Sequence, residues 1–144
     1  MVTGSSNAAG DDVNAVYGIL STGSFNNLII RNNIIKNVFT GFNGDGLSDG
    51  NHIIGNLFNS IGKFNNGSAV SLNADYYSDV LNNKMTKVWA GIKLNNHHSS
   101  GGPLSWTVSG NEIHSYAAGF IYVNQKQNAT PVTFINNKIF PDSG

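Results

Sequence analysis

The segment Val80-Leu81-Asn82-Asn83-Lys84-Met85 decides the fold, because its pattern returns at regular intervals along the chain. The pattern reads apolar, any residue, Asn or Gly, Asn, any residue, apolar. It occurs at residues 30–35, 53–58, 80–85, 108–113 and 134–139. The fourth position recurs every 23 to 28 residues and is always Asn, at Asn33, Asn56, Asn83, Asn111 and Asn137. Such spacing is the sequence signature of a repeat protein.

The residues around each repeated Asn predict strands rather than helices. Ile, Val and Phe flank the Asn in short runs, which suit a pleated, half-buried surface. No long stretch keeps the apolar period of about 3.6 residues that an amphipathic helix needs. The Asn/Gly-Asn pair lies where the chain must turn, and both residue types tolerate a left-handed bend. With strands about 4.8 Å apart, we expect the repeated Asn side chains to form an internal hydrogen-bonded ladder.

Composition excludes several classes of function. The chain has 144 residues, with 8 Lys+Arg against 8 Asp+Glu and a single Arg. We therefore expect neither a nucleic-acid nor a membrane partner, because a neutral chain has no electrostatic footprint for these surfaces. The short apolar runs do not predict a bilayer span, and residues 1–12 show no signal-peptide pattern. With no Cys, disulfides, thiolate zinc sites and a Cys nucleophile are excluded.

The repeated segments resemble the coils of the right-handed parallel β-helix, as found in the pectate-lyase-like superfamily, where stacked Asn side chains often occupy one bend. The resemblance covers residues 27–140 and implies an all-β solenoid of about five coils. It also implies a polysaccharide partner and an extracellular or cell-surface location. A leucine-rich-repeat-like solenoid is the alternative fold, since it shares the repeat length and a positioned Asn. Its Leu five positions before the Asn occurs here only once, at Leu28.

We expect one domain over residues 1–144, with residues 1–26 as a lead-in and partial first coil. We also expect it to belong to a longer β-helix. The ends of a short stack expose unpaired backbone groups and an open apolar core. The sequence offers no amphipathic helix to cover either end. It therefore predicts end-to-end or homo-oligomeric packing.

A polar strip is predicted on the strands that follow the Asn bends. Alternation along residues 41–45, 69–73 and 91–95 sends an apolar set inward, namely Phe42, Val70, Leu72, Ile92 and Leu94. The residues between them face outward, namely Asn43, Asp45, Ser71, Asn73, Lys93 and Asn95. Just beyond these strands lie Asp49, Asp75, His97 and His98. Stacking faces for sugar rings are predicted at Tyr76, Tyr77, Trp89 and Trp106.

This strip predicts polysaccharide cleavage by one of two routes. Hydrolysis needs two carboxylates about 5–10 Å apart, one of them protonated, and Asp45 with Asp75 is the best pair. A lyase needs a base and a cation that stabilises an enolate, and Lys93 with His97 would serve. The predicted substrate-binding residues are Asp49, Asn73, Tyr76, Tyr77, Asn95 and Trp89. Neither the polygalacturonase motifs nor the pectate-lyase arrangement of Arg and carboxylates is recognisable on the coils, so no named activity is inferred.

Two alternatives stay open for this strip. It can be polar only because it is solvated, and the chain is then a non-catalytic structural or oligomerisation spacer of a surface or fibre protein. Oxygen ligands at Asn43, Asp45 and Asp49 would suit Ca²⁺. However, Leu47 stands where EF-hand spacing needs a ligand, and no bidentate Glu follows. We therefore expect a turn there, and no cofactor or metal.

Overall fold

Each repeat of the sequence folds into three short strands joined by bends. The computed structural model describes residues 2–3, 17–23, 27–45, 50–62, 67–73, 77–96, 105–115, 121–125 and 131–141. The strands in these residues are β1 (Val2–Thr3), β2 (Tyr17–Thr22), β3 (Ile29–Arg31), β4 (Ile34–Val38), β5 (Thr40–Asp45), β6 (His52–Ile54), β7 (Leu57–Ile61), β8 (Ser68–Asn73), β9 (Ser78–Leu81), β10 (Lys84–Val88), β11 (Ala90–Asn96), β12 (Trp106–Ser109), β13 (Glu112–Ser115), β14 (Ile121–Gln125), β15 (Val132–Ile135) and β16 (Lys138–Pro141).

The strands stack into three parallel sheets. Sheet A has the order β1-β4-β7-β10-β13-β16, sheet B the order β2-β5-β8-β11-β14, and sheet C the order β3-β6-β9-β12-β15. From β2 onward, three consecutive strands, one in each sheet, make one turn of a β-solenoid. Within the described ranges there is no helix, and hence none of the length and hydrophobicity needed to cross a membrane. The predicted all-β parallel solenoid is therefore confirmed, and a leucine-rich repeat, with one strand and a helical segment per repeat, does not fit.

Residues with positive φ form the corners of the turns. At the corner between sheets C and A, the residue before the repeated Asn has a φ between 53° and 66°, at Asn32, Gly55, Asn82, Gly110 and Asn136. Positive φ also occurs at the bends before β3, β6 and β9, at Asn27, Gly50 and Tyr77. It occurs again one residue before the ends of β4, β7 and β10, at Asn37, Ser60 and Lys87. The predicted left-handed Asn/Gly bend is thus confirmed. Ser60, Tyr77 and Lys87 share this conformation although their residue types do not favour it.

The residue before the repeated Asn alternates between Asn and Gly from one turn to the next. A Cβ at Gly55 would lie 2.9 Å from Asn32 Oδ1, and one at Gly110 would overlap Asn82 Oδ1. Each of these two Asn side chains therefore lies against a glycine of the next turn, where the missing side chain leaves room.

The predicted Asn ladder is present inside this corner. The backbone N–H and Nδ2 of Asn83 both donate to Asn111 Oδ1 at 3.0 Å, and Nδ2 also donates to the Ile53 carbonyl at 2.8 Å. Asn83 Oδ1 accepts from the backbone N–H and Nδ2 of Asn56, at 2.8 and 3.1 Å. The side chain thus uses both amide hydrogens and both oxygen lone pairs. Asn56 and Asn111 repeat the arrangement, and all three residues are at most 1% exposed.

Apolar side chains from all three sheets fill the space inside the turns. The predicted inward residues of sheet B are fully buried, namely Phe42, Val70, Leu72, Ile92 and Leu94. Ile35, Phe58, Met85 and Ile113 stack from turn to turn on sheet A, and Ile53, Val80 and Val108 do so on sheet C. This apolar core holds the backbone of sheet B in place and so fixes which side chains face outward.

Candidate functional site

The outer face of sheet B brings together the polar residues of β5, β8 and β11. These strands pair in register, so that Asn43, Ser71 and Lys93 form one row across the sheet. Asp45, Asn73 and Asn95 form the next row. The alternation of the sequence therefore predicted both rows.

Three Asn side chains are hydrogen-bonded to one another across these strands. Asn95 Nδ2 donates to Asn73 Oδ1 at 2.9 Å, and Asn73 Nδ2 donates to Asn43 Oδ1 at 3.2 Å. We call Asn43, Asn73 and Asn95 the amide row. It crosses the face diagonally, because Asn43 belongs to the first of the two rows above and Asn73 and Asn95 belong to the second. Asn73 and Asn95 are half-buried. Because an Asn side chain has two donor hydrogens and two acceptor lone pairs, the hydrogen bonds among the described residues leave polar capacity on both for another molecule.

Part of this face is less solvated than a wet polar strip would be. Asn43 and Ser71 are each only 7% exposed. Asp45 at the end of β5 is exposed. The polar side chains along β5 therefore change from buried to exposed within two residues. Solvation alone therefore accounts for Asp45 but not for Asn43 and Ser71.

Lys93 is on β11, where it pairs with Ser71 of β8, and it is half-buried. Burial disfavours the charged ammonium form and lowers the pKa of Lys93 below its usual value. A lysine shifted in this direction yields a neutral amine at lower pH than an exposed one. That chemistry suits a base better than a permanently charged anchor.

Asp45 is the only carboxylate that the described residues place on sheet B. The other two described carboxylates are Asp79 on sheet C and Glu112 on sheet A. The described part of the chain therefore does not contain the pair of neighbouring carboxylates that glycoside hydrolysis requires.

Several predicted site residues lie outside the described residues. They are Asp75 and His97 of the catalytic set, and Asp49 and Tyr76 of the substrate-binding set. The same holds for His98 and for the calcium ligand suggested at Asp49. Of the other two suggested calcium ligands, Asn43 is buried with its Oδ1 accepting a hydrogen bond from Asn73. Among the described residues, no group of three or more His, Asp or Glu could hold a metal ion.

The aromatic residues predicted to stack on sugars lie in different environments. Trp106 is fully buried in the core, so its prediction as a stacking face is wrong. It begins β12 at a position whose side chain points inward, in line with buried Ser78 of the previous turn. Tyr77 is 52% exposed at the bend before β9, and Trp89 is half-buried at the bend before β11. These two bends lie at opposite ends of the strands of sheet B.

Two other polar clusters were not identified from the sequence. His52 Nδ1 lies 3.0 Å from Asp79 Oδ2 on sheet C. On sheet A, Glu112 Oε1 lies 2.9 Å from Lys84 Nζ and 3.0 Å from His114 Nε2. The hydrogen bonds from Lys84 and then from His114 lower the pKa of Glu112. His52 and Asp79 each precede a ladder Asn by the same number of residues, and this shared repeat position is the signal that could have revealed the pair.

No protein-family model matches this chain, and no curated protein or solved structure is significantly similar to it. The functional argument therefore depends on the geometry of the chain itself.

Proposed function

We propose that the outer face of sheet B binds a polysaccharide at the cell surface or outside the cell. The observation that carries the proposal is the amide row, with Asp45 at the end of β5 and Lys93 on β11 beside it. Sugar hydroxyl groups both donate and accept hydrogen bonds, and so do Asn side chains. The face thus offers amide, carboxylate and amine groups at fixed strand spacings, which suits a ligand that is itself a repeating polar chain.

The roles follow from the position of each side chain. Asn73 and Asn95 bond to sugar hydroxyls through their remaining amide hydrogens and oxygen lone pairs. Asp45, exposed at the edge of the face, accepts charge-assisted hydrogen bonds from hydroxyl groups. Tyr77 and Trp89 are the stacking candidates at the two ends of the strands.

For the fold, we propose the finer assignment to a right-handed parallel β-helix of about five coils, related to the pectate-lyase-like superfamily. Connections between parallel strands are right-handed in about 98% of cases, and each sheet from β2 onward gains one strand per turn. The internal Asn ladder supports the relationship, because stacked Asn side chains often occupy one bend of the coils in that superfamily too.

Turnover of the polysaccharide would need a second reacting group near the amide row. In a hydrolase, Asp75 would join Asp45 as the second carboxylate. In a lyase, Lys93 would act as the base and His97 would stabilise the enolate.

The experiment is a panel of neutral and acidic polysaccharides, tested for binding by calorimetry and for cleavage. New reducing ends without ultraviolet absorbance would indicate a hydrolase, and absorbance from unsaturated uronate would indicate a lyase. Asn95→Ala should weaken binding, whereas Asn59→Ala, which removes a half-buried amide hydrogen-bonded to Thr86 across strands of sheet A, is the matched control. Equal losses in both variants, or no binding of any glycan, would contradict the proposal.

The second candidate is a structural or oligomerisation spacer without a small-molecule site. The observation that favours it is the exposed apolar surface on the last turn, where Phe134 is 47% and Ile139 43% exposed.

A further inference from the structure

Asn51 is a buried amide whose side chain has no partner among the described residues. It precedes β6 and is fully buried. Its backbone N–H donates to Ser78 Oγ at 3.2 Å, and its backbone carbonyl accepts from the Asp79 N–H at 2.8 Å. Nothing in the described ranges is hydrogen-bonded to its Oδ1 or its Nδ2. The backbone bonds therefore fix the residue in place, while two donor hydrogens and two acceptor lone pairs stay unused.

The side chain of Asn51 points into the core of the solenoid. His52 pairs with Asp79, and Ser78 pairs with Trp106. Asn51, Ser78 and Trp106 therefore hold the same position in three successive turns, and all three are fully buried. An unpaired amide at such a position costs free energy, because its hydrogen bonds to water are lost on folding.

Ser21 on β2 is a second buried polar group of this kind. It is 5% exposed, and its Oγ has no hydrogen-bond partner in the part of the chain that the structure describes. Ser21 pairs with Gly44, which pairs with Leu72, and Leu72 pairs with Leu94. Leucine thus fills this inward row of sheet B in the third and fourth turns, whereas the first two turns have a serine and a glycine. Less side-chain volume enters the core at those two turns.

The smaller side chains and the unpaired amide occur at the same bend, between sheets B and C. Gly44 is the next-to-last residue of β5, and Asn51 comes just before β6, the next strand of the same turn. Ser21 has the same place in β2 of the preceding turn, about 4.8 Å away along the stack. A buried water needs both polar partners and room, and this bend offers both.

We propose that the bend binds an ordered water molecule, held by Asn51 Oδ1, Asn51 Nδ2 and Ser21 Oγ. Buried waters typically make about three hydrogen bonds to groups that would otherwise be unpaired. A water donates to Oδ1, accepts from Nδ2, and either donates to the serine hydroxyl or accepts from it. A cation would leave Nδ2 without an acceptor, so the ligand is a small neutral molecule. This proposal does not depend on polysaccharide binding by sheet B.

The test is a water–protein nuclear Overhauser experiment on the isotope-labelled full chain. We expect a cross-peak between water and the Nδ2 hydrogens of Asn51. Asn83 is the matched control, since it is also buried but donates both of its Nδ2 hydrogens to protein oxygens. It should give no such cross-peak. A missing signal at Asn51, or equal signals at both residues, would overturn the proposal.

Two variants test the hydrogen bonds of this water. Ser21→Ala removes one of the three contacts and should weaken the Asn51 cross-peak, with an unchanged circular dichroism spectrum. A cross-peak of full strength would contradict the assignment of Ser21. Asn51→Leu should not raise the midpoint of urea denaturation, because the amide that it removes is hydrogen-bonded to the water. A clear rise would mean that the buried amide is unpaired in the native protein, and the proposal would be wrong.

Discussion

Two rows of asparagine run along this solenoid, and they differ in how fully their hydrogen bonds are used. The ladder at the corner between sheets C and A is buried. There, Asn83 uses every donor and acceptor of its side chain. In the amide row on sheet B, side chains bond to one another only once per pair of strands. The same residue type thus satisfies backbone and neighbours in one row, while in the other it retains capacity for a ligand.

This difference shows that abundance of Asn does not by itself indicate a function. A buried amide must find partners within the fold, because an unpaired buried polar group costs about 1–3 kcal/mol. A half-exposed amide is under no such demand, since water can serve it. The environment of each Asn therefore predicts whether its loss affects stability or binding.

The largest expected effect is on stability, for Asn83→Leu. The substitution leaves the Ile53 carbonyl and the donors of Asn56 without their partner. We expect the free energy of unfolding to fall by about 1–3 kcal/mol, measured by urea denaturation. Asn73→Leu in the amide row is the matched control and should cost less than about 1 kcal/mol, because its bonds are only part-buried. Equal costs would remove the distinction between the two rows.

The next effect is on binding, for Asp45→Asn. Replacing the exposed carboxylate removes charge-assisted hydrogen bonds and should weaken glycan binding about tenfold, or about 1.4 kcal/mol. Thermal unfolding should stay nearly unchanged, because Asp45 is exposed at the end of β5. Asp79→Asn makes the same chemical change on sheet C and should leave calorimetric glycan affinity unaltered. An equal loss of glycan affinity in both variants would show that the effect of Asp45→Asn is not specific to sheet B, and it would contradict the proposed binding face.

A smaller effect is expected at the first rung of the ladder. Asn33 donates through Nδ2 to the Arg31 carbonyl and to Asn56 Oδ1, and it is only half-buried. Asn33→Leu leaves the backbone N–H of residue 33 still bonded to Asn56 Oδ1. We expect a loss of about 0.5–1 kcal/mol by denaturation. A loss as large as that of Asn83→Leu would mean that burial does not set the strength of a rung.

The smallest effect is the pH dependence contributed by Lys93. Since burial lowers its folded-state pKa, the charged form destabilises the fold at pH values below that pKa. This cost disappears as the pH rises from the lowered pKa towards the usual value of 10.5. The unsubstituted chain should therefore gain stability over that pH range, by less than about 0.5 kcal/mol after solvent screening, and Lys93→Met should lack this gain. A denaturation series at rising pH measures both proteins, and the same pH dependence in both would contradict the shift.

The repeat made much of the ladder and of sheet B predictable. In a stack of turns, residues at the same repeat position become neighbours, so the spacing of Asn33 to Asn137 was enough to place the ladder. Alternation was enough to place Asn73 beside Asn95. Spacing carries no information on what covers a face or an end. The burial of Asn43 was therefore not foreseeable, and the predicted roles of Asp75 and His97 stay predictions.

The alternation of Asn and Gly before the ladder makes neighbouring turns unequal. Asn32 lies against Gly55, and Asn82 lies against Gly110. Turns with Asn at this corner therefore alternate with turns that have Gly there. Deleting a single internal turn would place one corner Asn against another, with no glycine to leave room, or would place two glycines together. Removing or inserting turns inside this solenoid without disturbing that corner therefore requires two turns at a time.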